Sequence, residues 1–177
     1  MAEGRIPPQS IEAELSVLGA MMLKPAAVTQ AIELLRADEF YRQAHRAVFE
    51  AMEGLVRDGE PVDIVTVTES LKKSGLLEQV GGITFLANLT NSVPSTANLA
   101  HYAKIVKEKA ILRSLIDAST EIAGAAYEAS EDIAEQLDDA ERKILAIAGG
   151  QTTGAFVPIK DVVFDAVDRV SELAKAK

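Results

Sequence analysis

The sequence has no cysteine, no tryptophan, two histidines and an aromatic content of only 5%. Without cysteine there is no disulfide frame, no thiolate zinc site and no cysteine nucleophile. That fits a reducing compartment. No apolar run approaches the ~18 residues of a membrane span. The start, Met1-Ala2-Glu3-Gly4-Arg5, lacks a basic segment followed by an apolar one, so no secretory signal is legible. Positive charge is also scarce: 18 Lys+Arg stand against 27 Asp+Glu, for a formal net charge of −9. Duplex DNA binding is dominated by phosphate neutralisation, so this balance argues against broad DNA binding by the chain alone.

What is present points to helices. A length of 177 residues suits one ordinary domain, or a domain with an appendage. A hydrophobic fraction of 48% argues against wholesale disorder. Most of it is Ala, Leu, Ile and Val, which suits closely packed helices.

Pro7-Pro8-Gln9-Ser10 reads as a helix lead-in, with Ser10 placed to accept a hydrogen bond from an orphan amide. Glu12 and Glu14 suit the positive helix start. Ile11, Leu15, Leu18 and Met22 then share one helical face. Pro25 opens a second helix marked by Val28, Ile32 and Leu35. Asp38-Glu39-Phe40-Tyr41 is expected to open a third, whose face carries Tyr41, Ala44, Val48, Met52 and Leu55, with Gly59 as its stop. The β-branched run Val62 to Thr68 is compatible with a strand. Asp63 as a cap, Val67 and Leu71 on one face and Gly75 at the end favour a helix. Gly81-Gly82 breaks the chain before a short helix with Ile83, Leu86 and Leu89.

After Pro94 the pattern changes. From Ala97 to about Tyr127 there is no proline and only one glycine, and Leu99, Tyr102, Ile105, Val106, Leu112, Leu115, Ile116 and Ile122 keep a helical period. Ser130 is placed to cap a partner helix, where Ile133, Leu137, Ala140, Ile144 and Ile147 recur. Two long helices joined near Glu128-Ala129 make an antiparallel hairpin with a wide apolar surface. Gln151 to Ala155 reads as a linker. A last amphipathic helix carries Ile159, Val163, Val167 and Val170, with Phe164 beside them.

Charge is concentrated on the hairpin. From Ser114 to Glu141 stand Asp117, Glu121, Glu128, Glu131, Asp132, Glu135, Asp138, Asp139 and Glu141, with no base among them. Singly, each is an ordinary solvated side chain. Together they favour a basic partner.

Catalytic and metal motifs do not form. Arg42 stands three residues before His45, and Asn98 three before His101, so the Glu-x-x-His pattern of di-iron bundles is absent. His45, on an apolar helix, reads as a hydrogen-bonded structural residue, and His101, near a helix start, as a surface or interface one. Gly149 to Gly154 has the glycine spacing of a P-loop, but Ala155 and Phe156 occupy the Lys and Ser/Thr positions. A carboxylate enzyme is therefore remote, and a self-associating helical scaffold or adaptor is the plainer alternative.

A specific resemblance outweighs that alternative. Ile6-Pro7-Pro8-Gln9-Ser10-Ile11-Glu12-Ala13-Glu14 with Val17-Leu18-Gly19 resembles the opening of bacterial replicative DNA helicases of the DnaB type. The match continues in order through Phe40-Tyr41, His45, Val48-Phe49, Gly59-Glu60-Pro61-Val62-Asp63, Val65-Thr66-Val67, Gly81-Gly82 and Phe85-Leu86. Ala97-Asn98, Tyr102-Ala103, Glu108-Lys109, Leu112-Arg113 and Leu115-Ile116 extend it into the hairpin. The resemblance implies an all-α chain: a helical head over 1–96, a hairpin over 97–150 in the same N-terminal domain, a linker over 151–158 and a linker helix over 159–177.

It further implies a collar that assembles as a trimer of dimers and recruits the C-terminal helical domain of a DnaG-type primase, and, in some members, a helicase loader. ATP and magnesium would belong to a motor domain outside this chain, which itself would be no enzyme and would hold no cofactor. The expected setting is the bacterial cytoplasm, at the replication fork. By position in the matched motifs, Glu12, Phe85, Ile116 and Ile122 are candidates for the primase-facing surface. Leu137, Ile144 and Leu145 are candidates for self-association. Ile159, Val163, Phe164 and Val167 are candidates for docking on a neighbouring subunit.

Overall fold

The computed structural model describes residues 6–91, 96–128 and 132–149. The linker and linker helix at 151–177, with Ile159, Val163, Phe164 and Val167, lie outside the described residues, as does Ser130. Seven helices are described: α1 (Ile11–Leu23), α2 (Pro25–Leu34), α3 (Gln43–Arg57), α4 (Ile64–Lys73), α5 (Gly82–Asn91), α6 (Leu99–Glu128) and α7 (Ile133–Gly149). Among the described residues there is no strand, and no helix is long and apolar enough to cross a membrane.

Helix α1 is the centre of the head. Leu18 is buried as expected, but Val17, Ala20 and Met21 are buried too, from other sides of the same helix. A helix apolar all round is a core helix, so the single-face expectation was too narrow. Helices α2, α3, α5 and α6 pack around it. Ser10 does stand at the N-cap, but its side chain makes no cap bond; its carbonyl accepts from the Glu14 amide at 3.1 Å instead. Pro25 starts α2, where its missing N–H is no loss.

The third helix begins later than expected. Residues Ala37–Glu39 form a single 3₁₀ turn, Phe40 and Arg42 are extended, and α3 starts at Gln43. Three bonds explain the delay. The Arg36 amide donates to the Glu39 carboxylate at 2.8 Å, and Arg46 Nε donates to the Phe40 carbonyl at 2.6 Å. The Tyr41 amide donates to Glu14 at 2.8 Å. Tyr41 therefore precedes the helix, whose buried face is His45, Ala47, Val48, Phe49, Met52 and Leu55.

Helices α3 and α4 end alike. Gly59 (φ 74°) and Gly75 (φ 71°) adopt the left-handed conformation. The following amides, of Glu60 and Leu76, donate back to Leu55 and Leu71 at 2.8 and 2.9 Å. This is a Schellman closure, and glycine permits it.

The ambiguous run 62–68 is helical because its cap is complete. Asp63 accepts from the amides of Val65 and Thr66, and Thr66 Oγ1 accepts from the Asp63 amide. Val67 and Leu71 then face the core. The backbone bond from Thr66 holds the Asp63 carboxyl below its ordinary value of 3.8. A lowered carboxyl stabilises above the ordinary value and ceases to as pH falls through the folded one. Asp63→Ala is therefore expected to lower the melting temperature at pH 7, with the gap to wild type closing in strong acid. Equal melting at both pH values would reject the cap's contribution.

In α5, Leu86 and Leu89 are buried, whereas Ile83 is 53% exposed and falls off the expected stripe. The core extends past residue 96: Leu99, Ala103 and Val106 of α6 join the same cluster. The second half of α6 leaves the head and pairs with α7.

Candidate interaction surface on the hairpin

Helix α6 has 30 residues, and its first half is held by the head. A helix of that length spans about 45 Å, so its second half must project. Helix α7 returns antiparallel along it. The pairing rests on small residues and a few polar ties. Ala118 is buried, and Gln136 Nε2 donates to the Ala125 carbonyl at 3.5 Å. Lys143 bridges the helices, 3.1 Å from Glu121 and 3.0 Å from Asp139. Bonding to Asp139, then to Glu121, raises its pKa above the ordinary lysine value. Asp132 stands just before α7, and its carboxylate accepts from the Ala134 amide at 3.2 Å.

Two helices cannot cover each other's apolar side chains. On α6, Leu112, Leu115 and Ile116 are 43, 42 and 50% exposed. Their i, i+3, i+4 spacing places them on one stripe. On α7, no residue is buried; Ile133, Leu137, Ile144 and Leu145 are 75, 66, 42 and 58% exposed. Large exposed apolar patches rimmed by charge mark interaction sites. The rim here is acidic, with Asp117, Glu121, Glu128, Asp132, Glu135, Asp138 and Glu141 all exposed.

The candidate residues fall in different settings. Glu12 is exposed on the first turn of α1. Phe85 is half-buried in the head, stacked on the His45 ring with centroids 5.8 Å apart and planes at 11°. Ile116 is exposed on α6. Ile122 is half-buried and faces α7, lining a cavity of about 140 Å³ with Ala125, Ile133 and Leu137. Leu137, Ile144 and Leu145 all present surface on α7. Glu12 and Phe85 thus belong to the head, and Ile116 and Ile122 to α6. The structure groups Ile116 with Leu112 and Leu115, the neighbours that sequence reasoning left out of the candidate set.

Glu14 and Arg113 were missed as well. Glu14, expected to complement the positive helix start, is also 1% exposed. Its carboxylate takes His45 Nδ1 at 2.6 Å and the Tyr41 and Arg42 amides at 2.8 and 3.5 Å. A signal existed: an acid inside a helix apolar on every side has no solvent to face. Arg113 had no such signal, because its partners are backbone carbonyls distant in sequence. It lies beside a groove of about 650 Å³ between head and hairpin, lined also by Ile6, Pro7, Tyr41, Arg46 and Ile116. Burial depresses its basicity while the Glu14 carboxylate supports it. A guanidinium nevertheless stays charged in proteins.

Comparison with known proteins agrees with this architecture. Residues 6–108 match the family described as DnaB-like helicase N terminal domain. The chain is 47% identical over 173 residues to the replicative DNA helicase DnaC of Bacillus subtilis, covering 98% of the chain and 38% of that protein. It is 47% identical over 169 residues to the replicative DNA helicase DnaB of Geobacillus stearothermophilus, covering 96% and 37%. The chain thus spans well under half the length of these relatives. The crystal structure of the N-terminal domain of DnaB helicase from Mycobacterium tuberculosis superposes with a TM-score of 0.74 at 42% identity, covering 80% of this chain and 99% of that one. A structure of a DnaB-like replicative helicase and its interactions with primase shares the fold at TM-score 0.65 and 21% identity, covering 90% of this chain and 35% of that one.

Proposed function

This chain belongs to the DnaB-like helicase N-terminal domain family, and from that premise we propose that it is the assembly and partner-recruitment domain of a replicative DNA helicase. Membership removes the unrelated scaffold as an alternative. In this reading the hairpins of neighbouring copies pair, the heads close a hexameric collar as a trimer of dimers, and the collar recruits primase. The observation that supports it most is the projecting hairpin, which keeps seven large aliphatic side chains 42–75% exposed. A protein that worked alone would gain nothing from that surface. The acidic rim favours partners with basic faces.

The remaining roles follow the same reading. DNA unwinding, ATP and magnesium belong to the parent helicase's motor domain. This domain itself grips DNA weakly, works in the bacterial cytoplasm, and offers a site for a loader in some settings.

Two measurements test the proposal. Light scattering across a concentration series is expected to show dimers or hexamers; a strict monomer throughout would reject the collar. Retention of the chain on an immobilised primase C-terminal domain is expected to fall for Ile116→Glu. Ile116 is half exposed, so that change spares the fold. Ile122→Glu would instead disturb the seam between α6 and α7. Undiminished retention of Ile116→Glu would remove Ile116 from the primase contact.

A further inference from the structure

Helix α6 belongs to two bodies. Leu99, Ala103, Val106 and Ala110 are buried at its head end, while Ala118 is the one buried residue described beyond them. Arg113 stands where the helix leaves the head, and it touches three residues in two other parts of the chain. Its Nη1 donates to the Pro8 carbonyl at 2.9 Å, across 105 residues of sequence. Its Nη2 donates to the Glu39 carbonyl at 2.6 Å. Its guanidinium lies over the Tyr41 ring, 5.7 Å from the centroid.

The strap that Arg113 holds has few ties of its own to make. Pro7 and Pro8 carry no amide hydrogen, so the strap leading into α1 can be fastened there only through its carbonyls. Ile6, just before these prolines, is 75% exposed. Both carbonyl contacts of Arg113 are to backbone, and they diverge from one planar fork. A single ammonium cannot reproduce that geometry.

We propose that Arg113 is a latch that sets the angle between head and hairpin by clamping the N-terminal strap and the 37–39 turn to α6. The angle matters because the hairpin is a lever. About 22 Å of α6 lies beyond Arg113, so a tilt of about 10° there moves the hairpin tip by about 4 Å. A partner that displaced the strap would in this way reorient the face bearing Leu112, Leu115 and Ile116. The latch is a property of the single chain and does not depend on the collar or on primase.

The absence of native cysteine makes the test direct. Cysteines replacing the exposed Glu53 on α3 and Asp138 on α7 would carry spin labels. Labelled chain would be diluted into unlabelled chain, so that pulsed dipolar spectroscopy reads only the intramolecular head-to-hairpin distance. The parent chain is expected to give one narrow distance distribution. Arg113→Ala is expected to broaden and shift it, with helix content and the melting transition held close to the parent's. Arg113→Lys is expected to broaden it too, and it decides the matter if Arg113→Ala folds poorly. An unchanged distribution in a folded variant would overturn the latch.

Discussion

The His45→Ala variant is expected to lose about 1–3 kcal/mol of unfolding free energy, the usual cost of leaving a buried polar group without its hydrogen-bond partner, with the lost packing of the ring in addition. The side chains of His45 and Glu14 are 1% and 2% exposed. Among the described residues, their 2.6 Å contact is the one side-chain bond that Glu14 makes; its other partners are the amides of Tyr41 and Arg42. Without the imidazole, the Glu14 side chain stays inside the head with the two backbone donors. Phe85 also loses the ring it stacks on.

Domains of this size have a total stability of about 5–15 kcal/mol, so urea unfolding would register the loss as a large fall in midpoint. A loss below about 1 kcal/mol, the net worth of an ordinary hydrogen bond, would show that the pair is dispensable. Glu14→Gln is expected to cost less, because an amide oxygen still accepts from Tyr41. Combined with His45→Ala it should cost less than the sum of the two, since contacting residues couple. The pair also reaches beyond stability. Glu14 pins the amide of Tyr41, and the Tyr41 ring supports Arg113 at the head–hairpin junction.

Replacing both Ile144 and Leu145 by aspartate is expected to weaken self-association by about 100-fold or more, leaving the single chain folded. Each aliphatic side chain buried in an interface contributes about 1.5–3 kcal/mol when fully covered, and a desolvated carboxylate adds a penalty. The two residues are 42% and 58% exposed in the chain by itself, so the substitutions open no cavity. The surrounding acids already make the hairpin negative, and two more carboxylates add like-charge repulsion between copies. Sedimentation equilibrium would read the dissociation constant, and thermal melting would confirm the fold. Wild-type association in this variant would move the self-contact away from the C-terminal half of α7.

These outcomes separate what one sequence discloses from what it conceals. Local signals carried well. Gly59 and Gly75 stop their helices, Pro25 opens one, and Asp63 resolves the β-branched run in favour of helix, because caps and stops involve residues within a few positions of each other. The hairpin was legible for the same reason: an apolar period sustained over α6 and α7 needs no knowledge of distant chain. Interruptions by tertiary bonds were not legible. The start of α3 is delayed because Glu14, well upstream, captures the Tyr41 amide.

Composition and local pattern were enough for the described helices, the lack of a thiol or a complete P-loop motif, the acidic hairpin and the order of motifs that places the chain in its family. Periodicity, capping and composition are local or additive, and they survive without coordinates. Which way each helix turned its residues came from long-range packing. The tertiary structure showed α1 buried on every side, Glu14 paired inside the head, and Leu112, Leu115 and Ile116 left uncovered where α6 departs. It also placed Arg113 on carbonyls 105 and 74 residues away. Backbone acceptors are the same at every position, so no pattern of side chains marks in advance which of them a guanidinium will find.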